Sequence, residues 1–142
     1  RLDPEMADRI HRHQEERSGR GWDTIEESIH LKDVFSHQIL DYDVVLLDCV
    51  TLWVNNILYQ RGEHQVDDSV IYALCFEWLQ AVNNWPGTLV CVTSEVGLGV
   101  VPENRLARKY RDLVGTCNQL IAQWSAEAVL VSCGIPITIK SE

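Results

Sequence analysis

Long apolar runs are missing from this chain of 142 residues. Its longest candidate, VVLLDCVTLWV over 44–54, is interrupted by Asp48. It also falls well short of the roughly 20 apolar residues that a membrane span needs. Five cysteines are present (Cys49, Cys75, Cys91, Cys117 and Cys133), but no C-x-x-C pair. Each lies in or beside an apolar segment, so they read as small buried hydrophobes of a reducing compartment. His11 and His13 stand two apart, which on a helix points them to different faces, and no ligand cluster suits zinc. There is no internal repeat, low-complexity tract or linker. The first 20 residues are polar and charged, unlike a secretory leader, and the expected location is the cytoplasm.

Positive charge is also scarce through the middle. Residues 21–104 contain only Lys32 and Arg61 against thirteen acidic residues, in a chain of net charge −9. That balance argues against nonspecific nucleic-acid binding. The cations concentrate instead in residues 1–20 and in RLARKYR (Arg105, Arg108, Lys109, Arg111). Two basic segments flanking an acidic middle could converge on one small anion, or both could be solvated helix faces.

What is present reads as one α/β domain over residues 1–142. Hydrophobic residues make up 46% and charged residues 23%, ordinary values for a globular chain. DPEMADRIHRHQEER reads as a helix capped by Asp3 with Pro4 in its first turn. VVLLD and TLVCVTSE lack polar alternation, as strands buried on both faces do. Between them come two helical segments, TLWVNNILYQRG and DDSVIYALCFEWLQAVNN. A long helix from about Glu103 to Trp124 follows, its core side expected to carry Leu106, Tyr110, Leu113, Cys117, Leu120 and Trp124. AVLVSCG and PITIK read as final strands, separated at Gly134-Ile135-Pro136. The expected class is α/β with a mostly parallel sheet and flanking helices.

Ligands of open α/β sheets bind beyond the carboxyl ends of the strands, where this chain places Asp48 and Glu95. A strand-end Asp can hold the Mg²⁺ of a bound nucleotide, although many such residues merely cap a turn. Gly97 and Gly99 in EVGLGVVP could adopt positive φ or admit a ligand close to the backbone, but a tight turn needing no ligand is the commoner case, and the third glycine of a dinucleotide fingerprint is absent. On a helix, Arg9, His13 and Arg17 share one face. Like charges so spaced repel by roughly 0.2–0.5 kcal/mol, and a bound phosphate would reverse the sign. The flanking arginines would also favour the neutral, nucleophilic imidazole. Neutralisation of that face by Glu16 and nearby acids is the competing reading.

Together, DPEMADRIHRHQEER…WDTIEE, VVLLDCVTLWVNNIL, TSEVGLGVVPENRLARKYRDLVGTCNQLIA and LVSCGIPITIK resemble the adenosylcobinamide kinase / adenosylcobinamide-phosphate guanylyltransferase family over essentially the whole chain. The resemblance implies a RecA-like P-loop fold, a homotrimer and a place in cobalamin biosynthesis. It further implies phosphorylation of adenosylcobinamide by ATP or GTP, then transfer of GMP from GTP to adenosylcobinamide phosphate through a GMP–histidine intermediate. His13 then corresponds to the nucleophile. Gln14, Glu15, Glu16 and Arg17 correspond to the guanine-nucleotide stretch, and Glu26 to a further nucleotide contact. Asp48 corresponds to an acid beside the nucleotide and its Mg²⁺. Ser94 stands where Asn is common in the family. The glycine-rich G-G-x-R-S-G-K-S loop that opens family members has no counterpart in residues 1–142. On that reading the chain is N-terminally truncated, or it is a noncatalytic subunit of the same fold that has lost nucleotide turnover.

Overall fold

The computed structural model describes residues 21–141. The helix expected over DPEMADRIHRHQEER, with His13, Gln14, Glu15, Glu16 and Arg17, lies outside the described residues.

A short helix, α1 (Leu31–His37), leads to strand β1 (Val44–Asp48). Helices α2 (Val50–Arg61) and α3 (Asp68–Asn83) carry the chain to β2 (Thr88–Val92). Beyond β2 come a 3-10 turn at Val96–Leu98, helix α4 (Arg105–Trp124), and strands β3 (Glu127–Ser132) and β4 (Ile135–Ser141). The helix ends have local causes. Gly62, at φ +84°, closes α2, while the side chains of Asp67 and Asn104 accept N–H groups of Val70 and Ala107 at the starts of α3 and α4.

Strands β1 and β2 pair in parallel, from Val44 opposite Thr88 to Asp48 opposite Val92. Their burial alternates, contrary to the expectation of strands covered on both faces. Val45, Leu47, Leu89 and Cys91 pack on the core, whereas Val44 (48%), Leu46 (41%), Val90 (47%) and Val92 (42%) are exposed. The cause is layering: the helices gather on one face, and among the described residues nothing covers the other. The parallel arrangement does not extend to the C-terminal strands either. β3 and β4 form a separate antiparallel pair, turned at Cys133 (φ +53°) and Gly134 (φ +76°). Two consecutive positive φ values are what a two-residue hairpin needs to match strand twist. The break therefore falls at Cys133-Gly134, and Pro136 lies within β4, opposite Val131.

The core is helical. Trp78 of α3 stacks on Phe35 of α1 at 5.5 Å between ring centroids, and Trp53 of α2 meets Trp78 edge-on at 6.3 Å. Val54, Ile57, Ile71, Cys75, Leu113 and Cys117 complete its centre. Both ends of the expected α4 stripe emerge from it: Leu106 is 45% and Trp124 40% exposed, the latter resting edge-on against Phe76. Cys133 is exposed, unlike the buried thiols of Cys75 and Cys117, because it sits at the hairpin turn.

Candidate active site

Two acidic residues stand at the carboxyl end of the parallel pair, one at a strand end and one on the loop beyond its neighbour. Asp48 is the last residue of β1, and Glu95 lies three residues beyond Val92, its partner across the register. Both are exposed. The chain turns from Asp48 directly into α2 through Cys49, an extended residue, so the strand-end carboxylate stands at the first turn of a helix. That turn is braced from behind. Thr51 Oγ1 donates to Cys49 Sγ at 3.3 Å, and Tyr110 of α4 donates its hydroxyl to the Thr51 carbonyl at 3.0 Å. Burial, and then the neighbouring Cys49, push the Tyr110 phenol up, which keeps it a donor.

At the exit of β2 one side chain makes three hydrogen bonds. Asn118, on α4, accepts from Thr93 Oγ1 at 2.7 Å through its Oδ1. Its Nδ2 donates to the Ser94 carbonyl at 3.2 Å and to Glu95 Oε1 at 2.9 Å. The amide thus ties three successive residues past the strand to a 20-residue helix. Sequence reasoning passed over both Thr93 and Asn118. The only signal for the latter was the NQ pair inside the EVGLGVVPENRLARKYRDLVGTCNQ motif.

The glycines that follow form a plain turn, the commoner of their two readings. Neither Gly97 nor Gly99 has a positive φ, and Gly99 is extended at φ −81° and ψ 177°. A Cβ on Gly97 would meet nothing within 4 Å. The 3-10 turn here is a conformation open to any residue, so these glycines are not required by the fold.

The basic segment of α4 is likewise no ready anion cradle. Arg108 donates to the carbonyls of Pro102 (2.9 Å) and Glu103 (2.6 Å), and Lys109 to that of Glu63. Arg111 pairs with Asp112 at 3.3 Å. Arg105, Arg108 and Lys109 line a cleft of about 290 Å³, but Asp67, Asp68 and Asp112 line it with them, and the charges balance.

Glu26 belongs to an irregular segment, 22–29, fastened to its surroundings. Trp53 Nε1 donates to the Ile29 carbonyl at 2.9 Å, Asn56 to that of Ser28, and Tyr42 to Asp23. Glu27 Oε1 accepts the N–H groups of His30 and Ile29, and those bonds, His30 first, hold its carboxyl below the usual range. Of the expected site residues, the structure puts Asp48 at the strand ends and Glu26 on this flanking segment. His13, Gln14, Glu15, Glu16 and Arg17 lie outside the described residues.

Carboxylates past the ends of a parallel pair stand where open α/β sheets receive their ligands, an arrangement shared by many proteins. Comparison with known proteins decides among them. A family model described as cobinamide kinase / cobinamide phosphate guanyltransferase matches residues 1–139. The chain belongs to that family. It is 40% identical over 147 aligned residues to the bifunctional adenosylcobalamin biosynthesis protein CobU of Escherichia coli, covering 98% of this chain and 81% of the relative. Identity to the CobU protein of Salmonella typhimurium is 37%, over the same shares of both chains. The CobP protein of Pseudomonas aeruginosa, also described as a bifunctional adenosylcobalamin biosynthesis protein, is 33% identical over 99% of this chain and 78% of the relative.

For this family the donor set at the strand ends can be weighed against a divalent ion. Among the described residues, no group of three or more His, Cys, Asp or Glu side chains could hold a metal by itself. A single exposed carboxylate such as Asp48 nonetheless fits Mg²⁺ as nucleotides carry it, where phosphate oxygens and water supply most of the ligands. No described helix is long and apolar enough to cross a membrane.

Proposed function

We propose that this protein carries out both steps of its family's chemistry in cobalamin biosynthesis. It phosphorylates the aminopropanol hydroxyl of adenosylcobinamide with ATP or GTP, then transfers GMP from GTP to the resulting phosphate. The observation that carries the reading is the placement of Asp48 and Glu95 at the carboxyl ends of the parallel pair β1–β2, in a chain matched by the family over residues 1–139.

In the transfer step, His13 attacks the α-phosphorus of GTP as the bond to the bridging oxygen breaks and pyrophosphate leaves. A phosphate oxygen of adenosylcobinamide phosphate then attacks the same phosphorus and releases the imidazole, giving adenosylcobinamide-GDP. Arg17 and Arg9 offset charge developing on the phosphoryl oxygens. Gln14, Glu15, Glu16 and Glu26 contact the nucleotide. Asp48 holds the Mg²⁺ of the substrate, which supplies charge neutralisation between phosphates when bound. The protein works in the cytoplasm as a homotrimer, as its resemblance to the family implies.

The test is a labelling experiment on the full-length protein. Incubation with GTP labelled at the α-phosphate leaves a label on the protein that acid removes and base does not, and H13A abolishes it. A label that persists in H13A sinks the assignment of the nucleophile.

A further inference from the structure

Phosphorylating an alcohol also requires somewhere for its proton to go. We propose that Glu95 accepts that proton in the kinase step and that Asn118 is the positioning residue that aims it. The inference rests on the kinase reading above and adds to it two residues with distinct roles.

Glu95 has the location, because the crevice beyond the carboxyl ends of parallel strands is where an α/β sheet receives its ligands. It is also exposed to an incoming substrate, and among the described residues no ion pair neutralises it. Here the bond to Glu95 comes instead from a neutral amide, one Nδ2–H of Asn118 at 2.9 Å to Oε1. Asn118 in turn is fixed by its bonds to Thr93 and Ser94, and it follows the fully buried Cys117 on α4. The carboxylate on a loop therefore inherits the rigidity of a helix, as a preorganised site requires. No described histidine competes for the role. His37 contacts the Asp33 carbonyl within its own helix, His64 pairs with Glu63 on the loop after α2, and His30 precedes α1.

In the step itself the substrate hydroxyl gives its proton to the Glu95 carboxylate. Its oxygen bonds to the γ-phosphorus while the bond from that phosphorus to the β–γ bridging oxygen breaks. The nucleoside diphosphate leaves, and Glu95 passes the proton to water.

The experiment compares E95Q, N118A and T93V with the parent, all as full-length proteins, in two separate assays. One measures kinase kcat and KM with ATP and adenosylcobinamide; the other measures GMP labelling of the protein by GTP. E95Q can still accept the Asn118 bond, so its fold is retained. Its kcat is expected to fall about 10²- to 10⁴-fold, with both KM values and GMP labelling held. N118A is expected to lose about 10- to 100-fold in kcat through misplacement of the base. T93V, which leaves the bond to Glu95 in place, is expected to lose less. A kinase rate in E95Q within about twofold of the parent overturns the proposal, as does a rise in KM at constant kcat. Equal loss of kinase and labelling overturns it too, since that outcome marks Glu95 as a shared binding group. Full activity in N118A beside an inactive E95Q overturns the role of Asn118. A parent that labels with GMP but shows no kinase turnover refutes instead the kinase reading, and the inference falls with it.

Discussion

Gly87 closes the turn between α3 and β2 against the face of Trp85. A Cβ built there would lie 2.1 Å from Cζ2 of that indole and 2.5 Å from Cε2 and Cη2. The obstacle is a rigid ring that is only 5% exposed, so it has no flexible end to move aside. Either the indole leaves its socket or the turn opens, and overpacking of this kind costs about 1–3 kcal/mol. G87A should therefore lower the urea midpoint of unfolding while leaving the denaturant slope unchanged. A midpoint equal to the parent's would mean that the ring has a second seat of equal energy. In the sequence, Trp85-Pro86-Gly87 is only a turn-forming run that follows a helical segment. The contact that makes glycine necessary depends on where the indole packs, which local pattern does not encode.

Helix starts give a comparison at the next scale, because α3 and α4 are capped by the same geometry with different chemistry. Asn104 Oδ1 accepts the Ala107 N–H at 3.1 Å, and Asp67 Oδ1 accepts the Val70 N–H at 3.0 Å and the Ser69 hydroxyl at 2.6 Å. Removing the neutral cap, N104A, should cost about 0.5–2 kcal/mol at any pH. The charged cap behaves differently. The bonds from Ser69 and Val70, in that order, hold the Asp67 carboxyl below its usual value, with a smaller contribution from Lys109. A pKa lowered in the folded state adds stability that is fully present above the unfolded value, about 3.9, and is lost as pH falls through the folded value. The stability gap between parent and D67A should therefore close on acidification, whereas the gap for N104A should persist. Urea midpoints at neutral and acidic pH check both, and a D67A gap independent of pH would refute the charged-cap account. Capping and periodicity are also what made the elements readable in advance. The helices expected after VVLLD, from DDSVIYALCFEWLQAVNN and up to Trp124 are α2, α3 and α4. Less readable was what the elements do together. The aliphatic runs of β1 and β2 suggested cover on both faces, but an apolar run records the chemistry of a strand, not which layers are there to cover it. The β3–β4 pairing hid for a similar reason, since a hairpin turned by Cys-Gly has no Asn-Gly or Asp-Gly to announce it. In the candidate site, Asp48 and Glu95 were legible from strand ends, while Asn118 was not, because its partners are 23–25 residues away in sequence.

Over the whole molecule, the cysteines divide the structure into regions that should open at different rates. Cys75 of α3 and Cys117 of α4 are both fully buried where those helices pack. A hydrogen bond that the protonated Cys75 thiol gives to Cys117, and then burial, push the Cys75 thiol up. Cys91, on the core face of β2, is pushed up to about 12 by burial. Cys133 sits exposed at the hairpin turn, away from the core. Since the thiolate is the nucleophile, a raised pKa and lack of access act in the same direction and slow alkylation. Iodoacetamide at about pH 8 should thus modify Cys133 first, and Cys75 and Cys117 last. The latter two should react at one common rate, because reaching either requires separating α3 from α4, which is the same event as losing the core. Mass spectrometry of peptides over a time course reads each rate. Urea near the midpoint should accelerate Cys75 and Cys117 together while leaving Cys133 almost unchanged. Labelling of Cys75 as fast as that of Cys133 would refute a core built on the α3–α4 contact. Labelling of Cys91 well ahead of Cys75 would instead show that the strands leading to Asp48 and Glu95 open independently of the helices behind them. In that event the rigidity that Asn118 lends to Glu95 would have to come from the three hydrogen bonds alone.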